Sequence, residues 1–552
     1  MPVAELTPIS SSDYGEVFTR RWVVDLILDM VGYTPDRDLG SMKLVEPSCG
    51  SGAFLVPIVE RLLSSSRSLG RDVGSLGPAL VAFDLLDANV GLARKAVLDV
   101  LVDHGLKPDD AYRLVQGWIS TGDFLLHPHQ DRSVDFVVGN PPYIRLENLD
   151  KRVGAAYRQQ CSTMRGRADI YVGFFERGLD LLRPEGKLGY ICADRWMRNQ
   201  YGADLRQLIG SKYSVDSVVS MHDVDAFEES VSAYPAIIVL RNGQQGRAAV
   251  VEATSTFGTE HASDLSSWIA SGDSRLNENG QFAGSITDSW FRGRDLWPSG
   301  APGRLALIAD LEARFAPLED SLTGTRVGIG VATGCDDVYI TENVDMVEAD
   351  RLVPLLRASD TASGELKWSG RYLINPWNGS GLVDLRHYPR LTEYLRQNGE
   401  RVRNRHVAKR RPEAWYRTID RVDTELTGRP KLLLPDMKSA AHPVLDSGGY
   451  YPHHNLYFIT SDTWDLEVLG GLILSDVANL FVGAYCVRMR GGTYRFQAQY
   501  LRRIRVPDQA MIPSSAAQAL RDAFRSRDRV WATEVAAELY GISAQDLTRL
   551  AK

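Results

Sequence analysis

At 552 residues the chain exceeds one ordinary domain and predicts roughly two to four. Hydrophobic residues at 44% and charged residues at 24% fit a soluble globular protein able to bury sizeable cores without staples. The formal net charge of −7 excludes a uniformly basic nucleic-acid coat, so any DNA contact must come from clustered Arg and Lys.

The cysteines, Cys49, Cys161, Cys192, Cys335 and Cys486, are odd in number and far apart, with no CxxC pair. That pattern argues against a zinc ribbon or a disulfide framework and fits a reducing cytoplasm. Met1 to Ser12 lacks the basic start and apolar run of a signal peptide. No window approaches the roughly 18 uninterrupted apolar residues that a membrane helix needs.

From about Phe18 to Arg241 short apolar strands alternate with amphipathic helices, the sign of a parallel α/β sheet. Taken in order, Met42–Glu46 predicts a strand, Gly52–Leu63 a helix, Leu80–Leu85 a strand and Ala88–Val102 a helix. Val134–Val138 predicts a short buried strand, and Asp169–Leu182 a helix stopped by Arg183-Pro184. Lys187–Cys192 and Ala236–Leu240 predict further strands. The stretch 246–304 is rich in Gly, Ser, Asp and Asn and predicts a linker region with small elements. Beyond it, residues 305–510 mix helices with short strands, and 511–552 predict a helical tail with a break near Gly541.

Chemistry first enters at Val45-Glu46-Pro47-Ser48-Cys49-Gly50-Ser51-Gly52, where a strand meets a helix. Gly50 and Gly52 let the backbone turn sharply and approach a ligand that a side chain would block. A lone GxG also suits a turn with no ligand. The pattern gains weight from Asp84 at the end of the next strand, where an acid accepts hydrogen bonds from ribose hydroxyls. Asp123-Phe124 then offers a carboxylate for an adenine amine beside an aromatic for its face. A dinucleotide-binding dehydrogenase would need a third glycine, but Ala53, Phe54 and Leu55 follow Gly52.

The most specific motif is Asn140-Pro141-Pro142-Tyr143, behind the apolar strand ending at Val138-Gly139. In a doubly wound sheet this is a strand's carboxyl end, where ligands bind. Pro141 holds Asn140 extended and Pro142 removes a further N–H, so the turn presents oxygens rather than donors. An aromatic amine is a poor nucleophile because its lone pair is delocalised into the ring. The Asn140 side-chain oxygen and the Pro141 carbonyl can each accept one of its N–H groups and stabilise the positive charge that develops on nitrogen. Tyr143 can stack on the base, which is worth roughly 1–3 kcal/mol.

In this order the motifs resemble the gamma-class, TaqI-type (Eco57I-like) adenine-specific DNA methyltransferases. The resemblance runs from Gly15-Glu16-Val17-Phe18-Thr19 through the Gly50/Gly52 loop, Asp84, Asp123-Phe124 and Asn140 to Tyr143. It continues through Asp169-Ile170-Tyr171, Leu182-Arg183-Pro184-Glu185-Gly186 and Gly189-Tyr190-Ile191-Cys192. It implies a Rossmann-like, doubly wound sheet that binds S-adenosyl-L-methionine through Thr19, Glu46, Pro47, Gly50, Gly52, Asp84, Asp123 and Phe124. Asn140, Pro141, Pro142 and Tyr143 would hold a flipped adenine, with Phe227 as a second aromatic against it. Arg20 stands where the family usually has proline, and Ser48-Cys49 vary the glycine loop.

The second half resembles, more loosely, the α+β target-recognition domain of the same family, starting at Val327–Gly334. Its basic residues cluster twice. Arg401, Arg403, Arg405, Lys409, Arg410, Arg411 and Arg417 surround Trp415 and Tyr416. Arg488, Arg490, Arg495, Arg502, Arg503 and Arg505 surround Gly491-Gly492. Such charge suits phosphates, and Arg also reads guanine edges, although a solvated helix face would look the same. For His453-His454 no third metal ligand is apparent, and a surface or loop role with no metal is expected.

These readings predict catalysis in 1–245, a linker over 246–304, double-stranded DNA recognition in 305–510 and a tail over 511–552. The expected enzyme is a cytoplasmic, nucleoid-associated monomer of a restriction or phage-defence system. No room for a fused nuclease precedes Thr19, so a separate cognate restriction endonuclease is the expected partner. RNA-base or protein-glutamine methylation uses the same Asn-Pro-Pro-Tyr chemistry, and a catalytically silent DNA-binding subunit would keep the fold.

Overall fold

A computed structural model of the chain describes residues 17–229, 234–273, 277–278, 280–287, 293–486 and 493–551. The chain forms two compact units, Met1–Pro302 and Gly303–Lys552.

The first unit is built on a ten-stranded sheet. Its strands are β1 (Leu44–Glu46), β2 (Leu80–Asp84), β3 (Ile119–Thr121), β4 (Val134–Gly139), β5 (Leu182–Ala193), β6 (Ser214–Ser220), β7 (Pro235–Arg241), β8 (Ala248–Ala253), β9 (Asn277–Glu278) and β10 (Phe282–Thr287). The spatial order is β3-β2-β1-β4-β5-β7-β6-β8-β10-β9. From β3 to β5 every pairing is parallel, and β7 lies antiparallel between β5 and β6. The helices that follow or precede these strands include α1 (Arg21–Val31), α2 (Leu55–Ser68), α3 (Asp87–Asp103), α4 (Pro108–Trp118), α5 (Lys151–Gln160) and α6 (Tyr171–Leu181).

Side-chain alternation shows how the sheet is covered. Leu188 and Tyr190 on β5 approach Gly178 of α6, whereas Gly189 approaches Ile27 and Val31 of α1. Successive strand residues point to opposite faces, so α1 and α6 lie on opposite faces and the sheet is doubly wound. β4 is buried along its whole length, as expected of a central strand covered on both sides. The chain reverses direction of winding between β1 and β4. That switch point is where ligands settle in such sheets, and it sets Glu46 beside Asn140.

The expected linker over 246–304 is corrected by this topology. Ala248–Ala253 pairs in parallel with β6, and Phe282–Thr287 pairs antiparallel with it, so this stretch extends the sheet. Polar turns hid the small apolar run Ala-Ala-Val-Val within it. Phe257, Leu265 and Phe282 are buried and join the main core.

The second unit mixes short strands with helices. One antiparallel sheet has the order Arg326–Ile329, Leu456–Thr460, Lys431–Pro435, Val444–Asp446. A second runs Ile340–Thr341, Tyr372–Ile374, Leu352–Leu356, Tyr451–Pro452. The tail helices Ser514–Ser526, Arg529–Tyr540 and Ala544–Leu550 belong to this unit rather than standing apart. Gly470 and Gly471 let helix Leu466–Leu474 come close to Phe524 and Leu520 of the first tail helix. Among the described residues no single helix is long and apolar enough to cross a membrane. The bent apolar pair Leu466–Leu474 and Asp476–Tyr485 is core to this unit, with Val468–Leu474 and Asp476–Tyr485 buried.

Candidate active site and nucleic-acid interface

An open cleft, about 910 Å³ with the solvent at its mouth included, lies at the carboxyl ends of β1, β2 and β4. Its wall contains Thr19, Glu46, Pro47, Gly50, Asp84, Asp123, Phe124 and Asn140, so the sequence motifs meet in one place. Gly50 (φ +50°) and Gly52 (φ +103°) adopt the left-handed region that other residues avoid. Gly52 also packs against α3, where a Cβ would sit 3.3 Å from the Ala93 Cα.

Asp84 holds the loop in shape. One oxygen accepts from the Gly50 amide at 2.9 Å; the other accepts from the Leu86 amide at 2.9 Å and the Asn89 side chain at 3.2 Å. Glu46 is 1% exposed, and one of its carboxyl oxygens has no hydrogen-bond partner among the described residues. Burial, reinforced by nearby Asp84, holds its pKa well above the usual carboxylate range. A cation placed beside it would reverse that penalty.

Asp123 is held from both sides. Its Oδ1 accepts from the Leu125 amide at 3.0 Å, and its Oδ2 accepts from the Tyr157 hydroxyl at 2.8 Å. Burial raises its pKa, and these donors oppose the rise. Phe124 stacks on Phe174 with centroids 5.4 Å apart, and both rings line the cavity.

At the Asn-Pro-Pro-Tyr turn, the Asn140 Nδ2 donates to the Val17 carbonyl at 2.9 Å and to the Thr19 hydroxyl at 3.2 Å. Two acceptors facing one end of the amide decide which end is oxygen. That Oδ1 is buried and has no hydrogen-bond partner among the described residues. Pro142 lines the cavity, and Pro141 is buried behind it. Tyr143 lies outside the cavity wall, edge-on to Tyr171 at 6.2 Å. Phe227 also lies outside this wall. It is 5% exposed within the main core, its backbone bridges Thr19, and it is not part of the cavity wall. Its place is explained by packing: Ala226 and Phe227 bury apolar surface beside the Thr19 strand residue. Tyr157, Phe174 and Ile144 line the cavity without having been singled out in the sequence, and Ile170 of the Asp169-Ile170-Tyr171 motif joins them. The signal open to sequence was an aromatic on each of the two helices after the proline turn.

The basic clusters separate into struts and free groups. Arg405 donates to the carbonyls of Thr333, Val402, Trp415 and Arg417, binding three stretches of backbone together. Arg401 pairs with Asp337 at 2.7 Å, and the Arg403 guanidinium lies 3.8 Å from the Trp415 ring centre. Lys409, Arg410 and Arg411 are exposed and make no ion pair among the described residues. In the second cluster Arg495 pairs with Asp436, Arg502 with Glu319, and Arg503 and Arg505 lie near Glu312. These arginines are internally neutralised, which weakens the case for them as phosphate ligands; Arg488 and Arg490 lie outside the described residues.

A third polar group does approach His453-His454, contrary to the expectation from sequence. Donor atoms of Asp336, His453 and His454 lie within 4.8 Å of one another. Asp336 is already engaged by the His453 Nε2 at 2.9 Å and by the Thr333 hydroxyl, with the Arg357 guanidinium 3.7 Å away. A cation so close disfavours a metal, and the group reads as a structural dyad.

Comparison with known proteins agrees with this geometry. Residues 103–227 match the family described as Eco57I restriction-modification methylase. The Type II methyltransferase M.XhoI of Xanthomonas vasicola is 42% identical over 96% of this chain and 97% of its own. The Type II methyltransferase M.PaeR7I of Pseudomonas aeruginosa is 43% identical over 97% of this chain and 93% of its own. The solved structure of the Type IIL restriction-modification enzyme MmeI in complex with DNA shares the fold, with a TM-score of 0.55 at 12% identity, over 96% of this chain and 72% of that one. A cofactor-type loop and an Asn-Pro-Pro-Tyr turn on a doubly wound sheet, in a chain matched along nearly its whole length by such enzymes, place it in the family of Type II DNA methyltransferases of restriction-modification systems.

Proposed function

We propose that the chain transfers a methyl group from S-adenosyl-L-methionine to the exocyclic amine of an adenine flipped out of duplex DNA. The observation that carries this reading is the Asn140 Oδ1, buried and unpartnered among the described residues while the same amide's nitrogen is tied to Val17 and Thr19. A buried acceptor with no donor is costly unless a ligand completes it. An amine on an aromatic ring does so.

The cavity residues fit the cofactor. Glu46 offers a buried carboxyl that a cationic group would stabilise in its charged form. Asp84 and Asp123 offer acceptors for hydroxyls and an amine, and Phe124 with Phe174 offers an aromatic wall. When bound, the cofactor supplies an electrophilic methyl on a sulfonium. Asn140 and the Pro141 carbonyl then accept the two N–H groups of the amine, orient its lone pair and stabilise the positive charge that develops. Flipping follows from access, because an amine stacked inside a duplex cannot reach the cavity. Lys409, Arg410 and Arg411 are the favoured phosphate ligands in the second unit, and a separate cognate endonuclease is the expected functional partner.

A tritiated-methyl assay tests the substrate class. Label is expected in duplex DNA and absent from RNA and protein. Label in RNA or protein alone would overturn the reading. Catalytic silence would show as no transfer despite tight cofactor binding.

A further inference from the structure

We propose that Tyr157 is a positioning residue for the cofactor: its hydroxyl aims the Asp123 carboxylate at the amino group of the cofactor's adenine. This rests on the cofactor reading above. Tyr157 sits on α5, is 6% exposed, and lines the same cavity as Asp123. Its hydroxyl donates to the Asp123 Oδ2 at 2.8 Å. The Leu125 and Leu126 amides engage the other oxygen at 3.0 and 3.4 Å. Donors at both ends fix the plane of the carboxylate. Each carboxylate oxygen accepts more than one hydrogen bond, so the Oδ2 keeps capacity for a ligand's N–H.

The helix that carries Tyr157 is itself pinned. At its start Asp150 caps the Arg152 amide at 2.8 Å. Beyond its end the Glu176 carboxylate accepts from the amides and hydroxyls of both Ser162 and Thr163, at 2.5 to 2.9 Å. Five hydrogen bonds thus hold the two ends of α5 in place without touching the cavity. Tyr157 is the polar group that this anchoring delivers to Asp123. A carboxylate aimed in this way selects for a donor, which the 6-amino group of adenine provides and an unsubstituted purine does not.

The experiment compares binding of S-adenosylhomocysteine with its purine counterpart, in which hydrogen replaces the 6-amino group. Calorimetry is run on the full chain, wild type and Tyr157→Phe, with melting curves confirming that the variant is folded. The variant is expected to bind S-adenosylhomocysteine about 5- to 10-fold more weakly and the purine counterpart about as well as wild type does, because only the first presents a donor to Asp123. Asp123→Asn is expected to lose the same discrimination, with no further loss in the double variant. Equal weakening of both ligands would show that Tyr157 merely supports the fold. An unchanged affinity for S-adenosylhomocysteine would show that its hydroxyl is idle. Either result overturns the proposal, whereas a wild-type chain that binds neither ligand overturns the cofactor reading beneath it.

Discussion

Asn140 is oriented by its own nitrogen, and that arrangement makes a sharp prediction. Asn140→Ala removes the acceptor but leaves Glu46, Asp84 and Asp123 in place, so methyl transfer should fall by at least about 100-fold while cofactor affinity stays near wild type, as rate and calorimetry together would report. His129 offers a second test at this scale. Its Nε2 lies 2.8 Å from the Phe124 carbonyl and its ring centre 4.7 Å from that of Phe124, behind the cavity wall. Burial pushes its pKa down to about 4 from 6.5. Folding therefore favours the neutral ring, a contribution complete above pH 6.5 and lost as pH falls towards 4. The fall in melting temperature across that window should be shallower in His129→Gln than in wild type. Glu46 and Asp84 stood out in sequence because each ends a strand, Gly50 and Gly52 because they sit in a strand-to-helix turn, and Asp123 because an aromatic follows it in a loop beyond a strand. Phe227 packs in the main core outside the cavity wall, and sequence could not show this because an aromatic in a loop reads alike whether it faces a ligand or the core. The state of each arginine was hidden because ion pairs such as Arg495 with Asp436 join residues far apart in the chain.

At the scale of elements, α5 depends on one side chain. Glu176 is 9% exposed and satisfies four donors of Ser162 and Thr163. Glu176→Ala leaves those donors unmatched, at a cost of about 1–3 kcal/mol, and should speed amide exchange over residues 150–163 more than elsewhere. Exchange unchanged in that segment would show that other packing holds the helix. β4 and β7 were visible as apolar runs, whereas β5 was visible only from Lys187 onward, because Arg183-Pro184-Glu185 before it reads as the end of a helix. β3 is only Ile-Ser-Thr, and β6 carries Asp216 among its serines, so neither announces itself by composition. Pairing with neighbours already in the sheet, not local propensity, makes them strands. The same holds for β8 and β10, whose polar surroundings suggested a linker.

For the molecule as a whole, acidity and DNA binding are reconciled by segregation of charge. Net charge is −7, yet Lys409, Arg410 and Arg411 stand together, exposed and free of ion pairs among the described residues. Replacing all three by Ala should weaken DNA binding regardless of sequence and flatten its salt dependence by up to roughly three units of slope, measured by fluorescence anisotropy over a salt series. Arg405→Ala should instead lower the melting temperature, because four backbone carbonyls lose their donor. The division of the chain at Pro302/Gly303 lies two residues from the boundary expected between 304 and 305, where a Gly-, Ser-, Asp- and Asn-rich stretch gives way to mixed helices and short strands; what local pattern hid is that the stretch before it extends the sheet. The central claim is tested most directly by digesting DNA methylated by the purified protein and resolving the nucleosides by mass spectrometry. N6-methyladenine should appear with the wild-type chain and vanish with Asn140→Ala. Methylated cytosine in its place, or N6-methyladenine undiminished in the variant, would contradict the account.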